Sequence, residues 1–310
     1  MFHSHSVQSR VFKLKFQLPT TNDYNKTTRY NPPSTIKLLF SKMAHPNRLQ
    51  NAHVLIFGGT SGIGYGIASM ALSNGAFVTI SGSNLPKVQS KISDLQSTYP
   101  SLPKSNVTGI PCDLADTDNL EANLREVFEK ATDAGQKKID HVAFSAGDAV
   151  VLSKLESVTV EDVLKGFKVR LLSCVMIGKL LAANPGRYMP VSASSSFTIT
   201  SGTNTQKPRP GWSVGASWGA ASEGLSRGLA VDLKPIRVNC VSPGAIDTPL
   251  LQKFKASVGE EVWRKYGEEG TLVGAWGTAE DEAEAYGWLM RDRFVTGTLA
   301  SSDGGRMLVD

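Results

Sequence analysis

The chain has few cysteines: Cys112, Cys174 and Cys240 lie far apart in 310 residues, and none forms a C-x-x-C pair. That spacing gives neither a disulfide framework nor a structural zinc site, and the five histidines show no H-E-x-x-H or comparable ligand pattern. A reducing compartment and no bound metal are expected. Long apolar runs are missing too. The longest, Leu171 to Ala183, spans 13 residues and carries Lys179, short of the roughly 20 needed to cross a bilayer, so no membrane partner is expected. Acid is nearly absent from one end. Residues 1–50 hold eight Lys and Arg and one acid, Asp23, a balance of +7; the other 25 Lys and Arg meet 27 Asp and Glu, a balance of −2. The net charge of +5 therefore belongs to a basic leader, and the body gives no electrostatic argument for nucleic acid.

What is present is ordinary for a folded enzyme-sized chain: 41% hydrophobic and 20% charged residues exclude a disordered or collagenous protein. Residues 1–50 read as a leader outside the fold. The functional chain then starts near Met43, or the acid-poor segment is an organelle transit peptide. A cytoplasmic location is expected, with mitochondria as the alternative. From Asn51 onward, short apolar runs alternate with longer amphipathic stretches, the pattern of βα units on a parallel sheet. Strands are expected at His53–Phe57, Phe77–Ser81, Val107–Ile110, His141–Phe144, Phe197–Thr200, Arg237–Val241 and near Thr298. Helices are expected over about 62–73, 84–97, 116–134, 159–183, 213–233 and 279–290. With no repeat or linker in the series, residues 51–310 read as one doubly wound, Rossmann-type α/β domain with a seven-stranded parallel sheet.

The first strand, Val54-Leu55-Ile56-Phe57, runs into Gly58-Gly59-Thr60-Ser61-Gly62-Ile63-Gly64 and a helix opening near Ile63. Glycines let the backbone approach a pyrophosphate, and the helix start supplies free N–H groups and a positive dipole end. The G-x-x-x-G-I-G spacing resembles the short-chain dehydrogenase/reductase family. Four later segments extend the resemblance. Cys112-Asp113-Leu114 matches the Asp set against the adenine ring, and Phe144-Ser145-Ala146-Gly147 stands where the family carries N-N-A-G. Arg237 to Pro249, including Pro243, Gly244, Ile246 and Thr248, matches the loop along the nicotinamide, and Thr296-Gly297 with Asp303-Gly304-Gly305 matches the last strand. The resemblance implies a nicotinamide dinucleotide held by Gly58, Thr60, Ser61, Gly62, Ile63, Gly64, Asp113, Leu114, Ala146, Gly147 and that loop. The second strand ends in Ser81-Gly82-Ser83-Asn84 with no carboxylate to accept from a ribose 2′-OH. Ser83, Asn84 and Lys87 instead suit a 2′-phosphate, which favours NADP(H); the same three residues also suit a plain helix start.

Members of the family reduce carbonyls with Ser, Tyr, Lys and Asn, the Tyr and Lys spaced i, i+4 so that both project from one helix face. Ser201 matches the Ser. Gly219-Ala220-Ala221-Ser222-Glu223-Gly224-Leu225 aligns with K-A-A-x-E-G-L, which puts Gly219 at the Lys position and Gly215 at the Tyr position. No tyrosine lies between residues 189 and 265, so no shift of register restores the phenol. Arg170 replaces the Asn. A guanidinium stays protonated near neutral pH, yet it can hold an oxygen and stabilise developing negative charge; the plainer alternative is an ion pair with Asp148 or Asp162. Gly215, Gly219, Gly224 and Gly228 on one helix suggest either a site enlarged under Trp212 and Trp218, or close packing between subunits. Lys207, in a proline-rich loop, is a weaker candidate.

Three functions remain open. The first is an NADP(H)-dependent reductase of a small carbonyl, imine or iminium, in which Ser201 and Arg170 orient the substrate and the missing Tyr points to pre-activated substrates. The second is a non-redox enzyme that keeps the nucleotide as part of its wall. The chain resembles a fungal branch of the family that includes a combined reductase and Diels-Alder cyclase, a relationship suggesting secondary metabolism, although Arg209 stands where that cyclase carries an acid. The third is a nucleotide-binding pseudoenzyme. A homo-oligomer, dimer or tetramer, is implied by the family, and the substrate-facing stretch 250–278 offers no motif.

Overall fold

A computed structural model describes residues 45–147 and 154–309. The leader over 1–44 and Asp148 lie outside them. One compact unit covers Asn47–Asp310, and Leu49, just before the first strand, is already fully buried in it. Seven parallel strands build its sheet: β1 (His53–Phe57), β2 (Phe77–Gly82), β3 (Val107–Pro111), β4 (His141–Phe144), β5 (Ser196–Thr200), β6 (Arg237–Pro243) and β7 (Leu299–Ser302), in the order β3-β2-β1-β4-β5-β6-β7. β1, β4 and β6 are buried along nearly their whole length because helices cover both faces. The order reverses at β1, whose neighbours are β2 and β4 through Phe57↔Ser81 and Phe57↔Phe144. At that switch point the carboxyl ends of β1 and β4 open a crevice.

On one face, α1 (Gly62–Ser73), α2 (Leu85–Thr98) and α9 (Ala279–Arg291) cover Val54, Ile56, Val78, Ile80 and Val241. On the other, α3 (Leu120–Ala131), α5 (Ser173–Ala183) and α6 (Ser213–Asp232) cover Leu55, Phe57, Phe144, Phe197 and Val238. Arg237 ties two layers together. Its buried guanidinium donates to the carbonyls of Leu289, Met290 and Val295, satisfying orphan acceptors at the end of α9.

The seven-stranded parallel sheet and the doubly wound fold agree with the expectation from sequence. Two helical regions differ from it. The helix expected over 159–183 is α4 (Val160–Phe167), a π-helical turn over Lys168–Leu172, and then α5. The wider turn carries Arg170 at its centre, and such turns recur at functional sites. Between β6 and α9, the stretch without a motif forms α7 (Pro249–Val258) and α8 (Glu260–Glu268). Among the described residues, no helix is long and apolar enough to cross a membrane, and no group of His, Cys, Asp and Glu is placed to hold a metal.

Candidate functional site

Two cavities meet at the crevice. The first, of about 490 Å³, is lined by Gly58, Thr60, Ser61, Gly62, Ile63, Ser83, Asp113, Leu114, Ala146, Gly147 and Thr248 among others. Its floor requires glycine: a Cβ on Gly58 would lie 2.6 Å from the Ala146 nitrogen, and one on Gly64 would lie 2.3 Å from the Gly58 oxygen. Ser61, the N-cap of α1, makes no side-chain capping bond, which leaves the N–H groups of the first turn for a ligand. The residues present therefore fit a dinucleotide: a bare backbone cradle and a helix start for the pyrophosphate, and Asp113 with Leu114 at the far side.

At the end of β2, Ser83 and Lys87 line this cavity and no carboxylate does so there. Asn84 does not line it. Its Oδ1 accepts from the Lys87 nitrogen at 2.9 Å and caps α2, so its side chain is engaged as a helix cap. Gly64 is buried beneath Gly58 within α1, while Pro243, Gly244 and Ile246 line the second cavity.

That second cavity, of about 180 Å³, shares Ile63, Ser145, Thr248 and Leu250 with the first. Its wall brings together Arg170, Ser201, Gly215, Gly219, Trp212 and Trp218 from three separate stretches of chain. Arg170 lies at the junction of the two cavities. Its guanidinium is flat against Gly147, where a Cβ would come within 2.4 Å of Cζ, so the glycine of the S-A-G segment is what admits it. Trp218 is buried; its Nε1 donates to the Val163 carbonyl at 2.9 Å and its ring presses on Gly166. It is a wall fixed to α4.

The two glycines aligned with the family's Tyr and Lys positions are closely packed. A Cβ at Gly219 would meet Thr205 Cγ2 at 2.5 Å and Ser201 Oγ at 3.0 Å, and one at Gly215 would meet the Trp212 ring at 3.2 Å. Ser201 donates to Glu223 Oε1 at 2.8 Å, and Thr205 donates to the same oxygen at 2.6 Å. Sequence reasoning missed Glu223 as a partner of Ser201, although its place one turn after Gly219 puts both on the same helix face. It also missed Arg306, a buried arginine on the cavity wall whose Nη2 donates to the Lys207 carbonyl while Lys207 Nζ donates to the Arg306 carbonyl. This reciprocal pair pins the proline-rich loop to the chain's end. Arg209 stacks over Tyr266 with Cζ 3.7 Å from the ring centre, and Tyr266, Trp276 and Trp263 continue the stack at 5.9 and 3.9 Å. Tyr266 and Trp276 face the cavity.

Two buried acids stand outside this wall. Tyr286 is fully buried on α9 with its hydroxyl 2.5 Å from Thr200 Oγ1, and burial holds its pKa well above the usual phenol value. One turn earlier, Glu282 has no hydrogen bond of good geometry, and burial pushes its carboxyl up to about 8, with the Ser302 hydroxyl offsetting only part of the effect. Cys112, on the wall of the first cavity, is raised to about 12 by burial and is no nucleophile at neutral pH.

Comparison with known proteins gives a consistent picture. A family model described as an SDR-like Rossmann domain matches residues 45–309. The short-chain dehydrogenase/reductase malC of Malbranchea aurantiaca is 38% identical over 263 residues, covering 84% of this chain and 96% of its own length. The short-chain dehydrogenase/reductase fsr5 of Gibberella fujikuroi is 34% identical over 263 residues, covering 84% and 97%. The solved structure of the MalC reductase/Diels-Alderase from Malbranchea aurantiaca superposes with a TM-score of 0.78 at 37% identity, covering 85% of this chain and all of that one.

Proposed function

The chain belongs to the short-chain dehydrogenase/reductase family, and from that premise we propose that it is an NADP(H)-dependent reductase of a small organic carbonyl, imine or iminium in secondary metabolism, working without the Tyr and Lys pair. The observation that carries this reading is the junction of the two cavities, where a glycine-floored dinucleotide cleft opens beside a small aromatic pocket holding Arg170 and Ser201. When bound, the nucleotide supplies a hydride. The chain's own groups do the rest. Thr60, Ser61 and the start of α1 hold phosphate, and Ser83 with Lys87 receives the 2′-phosphate. Trp212, Tyr266 and Trp276 exclude water and stack on the substrate. Arg170 orients a carbonyl oxygen and stabilises the negative charge that develops on it, without acting as an acid; the resulting alkoxide takes its proton from solvent, whereas an iminium becomes a neutral amine and needs none.

NADPH consumption with a panel of activated ketones and cyclic iminium compounds tests this reading. Turnover is expected, with kcat/KM falling about 100-fold or more in Arg170→Ala, as for loss of a single oxyanion donor. No oxidation of NADPH with any member of the panel would refute it. The printed description of the MalC structure as both reductase and Diels-Alderase supports a second, non-redox reading. Against it, Arg209 is committed to the Tyr266 stack in the loop where that chemistry would need an acid. Product formation that is equal with NADPH and NADP⁺ would favour the cyclase. A pseudoenzyme would fill its pocket with bulk, whereas about 180 Å³ stays open beneath Trp212 and Trp218.

The same reading includes a basic leader that ends a few residues before the expected 1–50 boundary, since Leu49 is buried in the domain, a cytoplasmic location with mitochondria as the alternative, and a homo-oligomer of two or four chains. The exposed Val175 and Val231, on the helices that bury the family's interface, support the oligomer. Light scattering on the purified protein measures it directly.

A further inference from the structure

We propose that Ser201 meets the substrate as a hydrogen-bond acceptor, with Glu223 as the residue that positions it, and that the pocket therefore selects molecules offering an N–H or O–H at this point. The inference rests on the reductase reading of the cavity. A serine hydroxyl has one proton to give. That of Ser201 is given to Glu223 Oε1 at 2.8 Å, while Thr205 gives its proton to the same oxygen at 2.6 Å. A carboxylate oxygen has no proton to give and accepts from both hydroxyls. Bonds to a carboxylate are shorter and stronger than those between neutral groups, and a second neighbour fixes the geometry.

The arrangement depends on the missing lysine. Only because position 219 is bare can Ser201 Oγ and the Thr205 methyl close on the backbone of α6, where a Cβ would lie 3.0 and 2.5 Å from them. Glu223, one turn further along that face, then reaches both hydroxyls. Ser201 lines the cavity while Glu223 stands behind it, so the face of Ser201 turned to the substrate carries lone pairs.

The charged groups on the wall have the opposite character, while Asn204 and the hydroxyls of Thr203 and Thr248 can play either part. Arg170 and Arg306 only donate. The pocket thus offers donors from guanidinium groups and an acceptor from Ser201. Its complement is a group with an acceptor and a donor side by side, such as an amide, a lactam or a protonated imine next to a carbonyl. A plain ketone can pair with an arginine or another donor of the wall, but to use Ser201 it has to break the bond to Glu223. A site that presents a hydrogen-bonding partner discriminates against an analogue lacking the matching group, because the buried partner is left unpaired.

The test compares δ-valerolactam with δ-valerolactone, which share a shape and a carbonyl and differ in the N–H. Both are titrated by saturation-transfer NMR into the protein with NADP⁺. The lactam is expected to bind about tenfold tighter. Ser201→Ala should bring the ratio close to one. Glu223→Ala, which releases the Ser201 proton, should lower the ratio by tightening the lactone, whereas Glu223→Gln, whose Oε1 still accepts, should keep it. A Glu223 of purely structural value would weaken both probes alike in either variant. Should Glu223→Ala fail to fold, the Ser201→Ala ratio decides. Equal binding, preference for the lactone, absence of lactam binding, or a preference that survives Ser201→Ala overturns the proposal. Loss of NADPH turnover with the lactam preference intact would sink the reductase reading alone; loss of that preference with NADPH binding intact would sink only this one.

Discussion

The four glycines of α6 give the sharpest test of whether Gly215 and Gly219, aligned with the family's Tyr and Lys positions, border open space or are closely packed. In a helix interior, Gly→Ala gains about 0.5–1 kcal/mol from backbone entropy alone. Nothing lies within 4 Å of a Cβ built on Gly224 or Gly228, so each substitution should realise that gain within the single chain. A domain of this size converts about 1 kcal/mol into roughly 2–4 °C of Tm, so the pair together is measurable. Gly219 behaves in the opposite way. Its added methyl would lie 2.5 Å from Thr205 Cγ2 and 3.0 Å from Ser201 Oγ, and both neighbours are held by Glu223. Overpacking of this kind costs about 1–3 kcal/mol, more than the helix propensity returns, so a net loss is expected. At Gly215 the contact is 3.2 Å to a Trp212 ring carbon, loose enough to yield, and the two effects should nearly cancel. Urea denaturation at constant m, with light scattering on the same samples, measures all four. If Gly219→Ala stabilises as much as Gly224→Ala, the close-packing account is wrong. If the substitutions at 224 and 228 instead lower the oligomeric mass, that face is a subunit interface.

Lys87→Ala should weaken NADPH about tenfold and leave NADH nearly unchanged, since one exposed cation on a 2′-phosphate is removed; equal loss for both nucleotides in fluorescence titration would mean that Lys87 does not meet the phosphate. Glu282 predicts a pH dependence of the fold. Its carboxyl is held at about 8 by burial, against 4.5 for the free group, so the folded chain keeps a proton that the unfolded chain releases. Stability from this residue therefore falls as pH rises from 4.5 to 8 and is flat above. Glu282→Gln should remove that slope and raise stability at pH 8 by at most about 5 kcal/mol, from 1.36 kcal/mol for each pKa unit; an unchanged slope in denaturation across that range would refute it. His141, buried beside Arg237 and lowered to about 3, acts in the other direction: its contribution is lost as pH falls from 6.5 toward 3. Stability should consequently bend within the range where both operate.

The sheet was legible because its strands are apolar runs of the right length between amphipathic stretches, and each motif sits where a strand ends. Strand β6 even kept its motif register through Pro243. The π-helical turn at Arg170 was not legible, since one extra residue in a helix leaves the periodicity over 159–183 almost unchanged. Helices α7 and α8 were missed for a different reason: α8 is strongly polar, and its only buried large side chain is Trp263, so its pattern is set by the stack with Trp276 rather than by a core stripe. In the site, sequence could align Ser201, Gly215 and Gly219 yet not say which way the serine hydroxyl turns. That depends on Thr205 and Glu223, which converge only after β5 and α6 are packed. Asn84 shows the converse. Both a phosphate ligand and a helix cap fit its sequence context, and the bond to the Lys87 nitrogen commits its side chain to the cap.

Two phenols come near the site: Tyr266, which lines the cavity under Arg209, and Tyr286, which reaches the residue before Ser201 and whose wiring decides whether it can serve as a proton donor there. That residue, Thr200, lines the same cavity as Ser201, but its hydroxyl is turned to the Phe144 carbonyl and to Tyr286 on α9. The proton count closes the route as well. Thr200 gives its single hydroxyl proton to the Phe144 carbonyl at 2.6 Å, so in the 2.5 Å contact with Tyr286 the phenol is the donor. Passing that proton toward the pocket would require Thr200 to release its own from a backbone carbonyl, which has no onward path. Burial also raises the phenol's pKa well above its ordinary value, the reverse of what an acid at neutral pH needs. Tyr286 therefore braces β5 against α9. A Tyr286→Phe variant should lose stability by about 1 kcal/mol while keeping its pH profile of turnover, and a shifted acidic or basic limb in that profile would return the phenol to the chemistry.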